Sequence, residues 1–122
     1  MCGLIAAMMR RPRISPSQLR GALEEIAHRG PDDTTTWFSD DGCTALGHVR
    51  LSIIGLDNGA QPIVDETNRV RTVVNGELYG YRQQRDTLRQ QGHRFSTDSD
   101  SEVALRLYLE HGTDFVLSLI HI

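Results

Sequence analysis

Met1-Cys2-Gly3 puts a cysteine directly behind the initiator methionine. Removal of that methionine leaves a residue whose thiol and α-amino group sit a few ångströms apart. An α-amine titrates near about 7.7–8.0 and a free thiol near about 8.5. The amine can therefore take the thiol proton, directly or through one water, which is an activated nucleophile built on one residue. The run Leu4-Ile5-Ala6-Ala7-Met8-Met9 behind it reads as a buried strand that fixes the chain end in place. The second cysteine, Cys43, lies at the start of an expected strand and reads as a small core residue.

Composition narrows the remaining chemistry. The chain has 122 residues, 39% of them hydrophobic, and a net charge of −3, the profile of one soluble globular domain or part of one. No basic block is present to meet a phosphate backbone, so nucleic acid is not an expected partner. No apolar run reaches the roughly 18–20 residues that cross a bilayer, so a membrane is not expected either. The start lacks the charged region of a signal peptide. With only two cysteines, this points to the reducing cytoplasm rather than to a Cys2–Cys43 disulfide. His28, His48, His93, His111 and His121 are scattered without ligand-type spacing, so no metal site is expected.

The elements that would position Cys2 follow from local signals. After a polar turn at Arg10–Arg13, Ser15 suits an N-cap, Pro16 the first helical position and Gln18 a capping box, with Ile14 stapled to Leu19. That helix should bury Leu19, Leu23, Ile26 and Ala27 and stop at His28-Arg29-Gly30-Pro31. Thr34–Phe38 reads as a short strand and Cys43–Ile54 as a longer one, with Gly47 marking a close approach or a bulge. Asp57-Asn58-Gly59 turns a loop, Val70–Asn75 reads as a strand, and Asn75-Gly76 is most simply a hairpin turn. Tyr81–Gln91 reads as a polar surface helix closed by Gly92. Ser99-Asp100-Ser101-Glu102 reads as a capping box opening a helix that buries Val103 and Leu107 and runs out near His111-Gly112. Hairpin-like turns between strands, with helices early and late, predict an α+β fold with largely antiparallel sheets.

Four segments stand out besides the start: His28-Arg29-Gly30-Pro31-Asp32, Gly47-His48-Val49-Arg50-Leu51-Ser52-Ile53-Ile54, Val74-Asn75-Gly76-Glu77-Leu78-Tyr79, and Ser99-Asp100-Ser101-Glu102-Val103. In this order behind a penultimate cysteine, they resemble the glutaminase domain of the class II glutamine amidotransferases, which are N-terminal nucleophile hydrolases. Arg29-Gly30-Pro31-Asp32, Arg50-Leu51-Ser52-Ile53-Ile54 and Gly59-Ala60-Gln61-Pro62 are most similar to the glutamine-hydrolysing asparagine synthetase branch. The resemblance implies a four-layer α/β/β/α sandwich of antiparallel sheets, incomplete here. Residues 2–115 would be the N-terminal part of the glutaminase domain. Val116–Ile122 would be an atypical tail, expected as an exposed strand in place of the branch's glycine and phenylalanine-alanine-rich strand.

The resemblance also assigns roles. Cys2 would attack the glutamine side-chain amide. The Asn75 side chain and the Gly76 N–H would hold the oxyanion, each such donor being worth about 10²–10³ in rate. Arg50 would grip the substrate carboxylate with its two-pronged guanidinium. Asp100, assisted by Glu77 or Gly76, would take the substrate ammonium, and Leu51, Ile53 and Ile54 would line the pocket. L-glutamine is the implied partner and no cofactor is implied within the domain. ATP and Mg²⁺ are implied only for a synthetase domain outside these residues, which would take the ammonia and make asparagine from aspartate. The alternatives are an amidotransferase with another acceptor and a non-catalytic amino-acid-binding remnant. A homodimer of the longer protein fits the same picture. Gly80 stands where the asparagine-synthetase pattern has asparagine.

Overall fold

The apolar run behind Cys2 forms a strand, but not the buried one expected. Leu4 and Ala6 are exposed and Met8 is 87% exposed, because a helix covers only the face that carries Ile5 and Ala7. In the computed structural model, which describes residues 2–11, 14–53 and 57–120, β1 spans Gly3–Met8. It pairs antiparallel with β3 (Thr44–Arg50), and β3 pairs antiparallel on its other side with β2 (Asp33–Phe38). The register sets Gly3 opposite Val49 and Asp33 opposite Arg50. Side chains alternate across a strand, so Ile5, Ala7, Ala45 and Val49 share one face, and α1 (Pro16–Glu25) covers it.

The start of α1 follows its sequence signals. Ser15 Oγ accepts the Gln18 N–H at 3.2 Å, and Gln18 Oε1 accepts the Ser15 N–H at 2.8 Å. Leu19 and Leu23 are fully buried against the sheet, worth about 1.5–3 kcal/mol each. A Cβ on Gly47 would meet the Leu23 side chain at 2.8–3.1 Å, which explains the glycine in mid-strand. The helix stops at Glu25 and the chain continues as a 3₁₀ turn, Ala27–Arg29. Ala27 therefore lies in that turn, half-buried, and not on the helix.

The strand expected over Cys43–Ile54 is shorter. Cys43 precedes it, half-buried and outside the core, because the Asp41 carboxylate takes its N–H at 2.9 Å and keeps it in the turn. The strand ends at Arg50 because the next amides find partners off the ladder. Ile54 and Met1 lie outside the described residues.

These elements form one of two units, Met1–Ser52 with Ala60–Pro62 and Val73–Asn75. The other comprises Ile53–Gly59, Ile63–Thr72 and Gly76–Ile122. Its sheet has two short antiparallel strands, β4 (Ile63–Val64) and β5 (Arg71–Thr72). The strand expected at Val70–Asn75 is thus two residues long, and β4 was not anticipated. The Asp65 carboxylate shapes the connection by accepting the N–H groups of Thr67, Arg69 and Val70 and the Thr67 hydroxyl. Neither Asn75 nor Gly76 takes the positive φ of a type I′ turn, so this pair closes no such hairpin.

Helix α2 spans Tyr81–Gln90 and α3 spans Ser101–His111, with Leu88, Val103 and Leu107 buried between them. α2 is not wholly a surface helix, because Arg85 is buried beside Leu88. Its N-cap, Gly80, has φ 72°, a left-handed conformation that glycine and asparagine take most readily. This accounts physically for glycine in place of asparagine. The expected capping box at α3 does not form: Asp100 is the N-cap and makes no side-chain cap, since its carboxylate and that of Glu102 are used elsewhere. After a 3₁₀ turn, Gly112–Asp114, residues Phe115–Ile120 form helix α4, where a strand was expected. The Phe115 ring meets Tyr108 edge-on at 5.9 Å, a contact that seats the first turn of α4 on α3.

The fold is therefore α+β with antiparallel sheets. Among the described residues, no helix is long and apolar enough to cross a membrane.

Candidate active site

Cys2 sits just before β1, and two motifs converge on it. The Leu51 N–H donates to Cys2 Sγ at 3.3 Å, and the Leu51 carbonyl oxygen lies 3.6 Å from the same sulfur. Arg29 Nε donates to the Cys2 carbonyl at 3.0 Å. The segment carrying Arg29 is pressed against the segment carrying Leu51. A Cβ on Gly30 would lie 2.4 Å from the Val49 carbonyl carbon and 2.5 Å from Arg50 N, so only glycine fits. Asp32 completes the junction: its N–H donates to the Arg50 carbonyl at 3.0 Å and its carboxylate accepts the Ser52 N–H at 2.7 Å. The Arg29–Asp32 motif is thus the brace for the Arg50–Ser52 motif, and the nucleophile candidate lies where they meet. Arg50 ends β3 at 8% exposure.

Asn75 belongs to the same unit, at the end of an irregular segment. The Gln61 side chain grips the preceding residue like a strand partner: its Oε1 accepts the Val74 N–H at 2.6 Å and its Nε2 donates to the Val74 carbonyl at 3.2 Å. His48 Nε2 donates to the same carbonyl at 3.3 Å. Burial of His48 pushes its pKa below the ordinary histidine value, which favours the neutral ring. Thr35 donates its hydroxyl to the Gln61 carbonyl. Asn75 itself is exposed.

The other expected residues belong to the second unit. Gly76 and Glu77 are exposed, and no atom beyond its chain neighbours lies within 4 Å of a Cβ built on Gly76. Ile53 is 57% exposed. Asp100 is buried, with one carboxylate oxygen accepting the Leu78 N–H at 2.8 Å. Glu102 is fully buried. Burial pushes its carboxyl up, and hydrogen bonds from Ser96, Arg106 and Thr97 more than offset this, holding it below the ordinary glutamate value. Among the described residues, no three His, Cys, Asp or Glu side chains gather as a metal site would.

Residues 1–121 match the sequence model of a family described as a glutamine amidotransferase domain. The chain belongs to that family. Similar proteins include the amidase chry2 of Gibberella zeae, 41% identical over 98% of this chain and 19% of its own length. A probable glutamine-hydrolyzing asparagine synthetase of Dictyostelium discoideum is 39% identical, over 95% of this chain and 21% of its own. Glutamine-hydrolyzing asparagine synthetase 2 of Bacillus subtilis is 37% identical, over 98% and 16%. The chain thus spans about a fifth of the length of these curated relatives.

Within the amidotransferase domain, sequence reading missed Arg29, Asp32 and Gln61 as residues that organise the site. All three stand in motifs already singled out. The missing information was their partners, which lie 13 to 27 positions away in the chain.

Proposed function

We propose that this domain hydrolyses the side-chain amide of L-glutamine through Cys2 and supplies the ammonia to a synthetase domain that makes asparagine from aspartate. The observation that carries the reading is the Cys2 sulfur facing the Leu51 backbone, beside Arg50, where the Arg29–Asp32 motif braces the end of β3. Once Met1 is removed, the α-amine of Cys2 takes the thiol proton and the sulfur attacks the amide carbonyl carbon. The carbonyl π pair moves onto oxygen, where Asn75 and the Gly76 N–H donate to it. Collapse re-forms the carbonyl, breaks the C–N bond with a proton from the α-ammonium, and releases ammonia. Water then cleaves the thioester to glutamate and restores the thiol. Arg50 takes the substrate carboxylate and Asp100 its ammonium, with Glu77 assisting. Leu51, Ile53 and Ile54 flank the substrate.

ATP and Mg²⁺ serve the synthetase domain, outside these residues. The two free cysteines suit a reducing cytoplasm. A second reading, an amidotransferase with another ammonia acceptor, is drawn from one relative, the amidase chry2, whose name is not that of an asparagine synthetase.

The test is mass spectrometry of the intact protein after exposure to a glutamine-like diazo-ketone. The proposed reaction requires a terminus that begins at Cys2 and an adduct on Cys2 that is absent in Cys2→Ala. Retained Met1, or an adduct on Cys43 alone, would overturn it. Asparagine formed from aspartate, ATP and amide-labelled glutamine separates the two acceptor readings.

A further inference from the structure

Two charged side chains with no role in the chemistry above are buried around one short loop, residues 96–100. Arg85 on α2 donates from Nη1 to the Thr97 carbonyl at 2.7 Å and from Nη2 to the Ser99 carbonyl at 2.6 Å. Its guanidinium lies 4.5 Å from the centre of the Phe95 ring, while its Nε is buried without a partner. Glu102 on α3 takes the opposite polarity of the same loop. Its two oxygens accept the Ser96 N–H at 3.0 and 3.1 Å, and one accepts the Thr97 N–H at 2.7 Å and the Thr97 hydroxyl at 2.8 Å. Arg106 neutralises it at 2.7 Å and is itself paired to Glu66.

Buried ions of this kind are a poor source of stability compared with packed apolar side chains. What they do supply is direction. A cation can hold only carbonyls and an anion only N–H groups, so together they fix both polar edges of a backbone that no strand pairs. Asn58 ties the loop from another side, with Oδ1 accepting the Asp98 N–H at 3.0 Å. The loop ends at Asp100, one oxygen of which is committed to Leu78 N–H.

We propose that Arg85 and Glu102 are positioning residues that clamp the 96–100 loop so that the Asp100 carboxylate meets the ammonium of an α-amino acid, making them determinants of selectivity for amino-acid amides over amides that lack that group. The inference rests on the reading of Asp100 as the ammonium acceptor. It extends the recognition from one carboxylate to the two buried charged residues that hold the loop leading to it.

The experiment compares kcat/KM of the intact protein for L-glutamine and for 4-carbamoylbutanoate, which is glutamine without its α-amino group. Misfolding lowers both values alike, so their ratio reports only on recognition of that group. Arg85→Met and Glu102→Gln should each reduce the ratio about tenfold, through a higher KM for L-glutamine with kcat little changed, the size of one charge-assisted hydrogen bond. Arg85→Lys, which keeps the charge but not the fork, should restore part of it. An unchanged ratio in Arg85→Met and Glu102→Gln, alongside a reduced ratio in Asp100→Asn, would overturn the clamp and leave the role of Asp100 standing. An unchanged ratio in Asp100→Asn would overturn the ammonium reading and the clamp with it.

Discussion

Arg29 Nε donates to the Cys2 carbonyl oxygen at 3.0 Å, tying the candidate nucleophile to a turn 27 residues further along the chain. A charged donor to a backbone carbonyl fixes the residue that carries it, and misplacement of a reacting atom is costly to rate. Arg29→Ala should lower kcat for glutamine hydrolysis about tenfold and change KM much less. Steady-state kinetics of the intact protein would check this, and equal losses in kcat and in 1/KM would count against it.

Gly30 and Gly21 should respond to alanine in opposite senses. At position 30 a Cβ would sit 2.4–2.5 Å from the backbone of Val49 and Arg50, atoms that cannot step aside singly. Gly30→Ala should destabilise by about 3 kcal/mol or more. At position 21, inside α1, nothing outside the helix's own backbone lies within 4 Å. Gly21→Ala should stabilise by about 0.5–1 kcal/mol, the helix preference of alanine over glycine. Urea midpoints at unchanged slope would measure both.

Gln61 holds both backbone polar groups of Val74, the neighbour of Asn75. Gln61→Glu keeps an acceptor for the Val74 N–H and replaces the donor to its carbonyl with a repelling oxygen. With Asn75 as an oxyanion donor, kcat should fall about tenfold or more at a nearly constant glutamine KM. A rise in KM at constant kcat would argue that Gln61 serves binding instead.

Asp65 gives the fold an acid limit. Hydrogen bonds from the Thr67 hydroxyl and then from the Val70 N–H lower its pKa from 3.8 to about 2. A carboxyl with a depressed folded-state value contributes stability fully above its unfolded value, and loses it as pH falls through the folded one. Asp65→Asn should therefore be less stable than the native chain by about 1–3 kcal/mol near neutrality. The gap should close between about pH 4 and pH 2. Thermal melts across that range, with a gap that stays constant, would disprove the assignment.

The sequence made legible whatever was local in origin. The Ser15–Gln18 box and the presence of a strand behind Cys2 depend on short-range chemistry, and they fold as read. The burial expected of that strand and the partner of Gly47, Leu23 on α1, were set instead by packing across the chain. What was not legible was competition among partners. Ser99-Asp100-Ser101-Glu102 has the letters of a capping box, yet the Asp100 carboxylate goes to Leu78 and that of Glu102 to Ser96 and Thr97. A polar helix likewise conceals Arg85, because a guanidinium is buried only where carbonyls await it, and those come from residues 97 and 99. At the candidate site, residue type pointed to Cys2, and Arg50 came only from the resemblance of its motif. The bracing by Arg29, Gly30 and Asp32 depends on contacts across the chain that no spacing encodes.

Gly80 has a stereochemical consequence. At φ 72° its two hydrogens are not equivalent to the surroundings: replacing one creates an L-residue under strain, while replacing the other creates a mirror-image residue at ease. Semi-synthesis with D-alanine at this position should raise stability by about 0.4–1 kcal/mol through loss of freedom in the unfolded chain, and L-alanine should lower it. The entry to α2 is thus a place where handedness alone, with no change in composition, decides the sign of the effect.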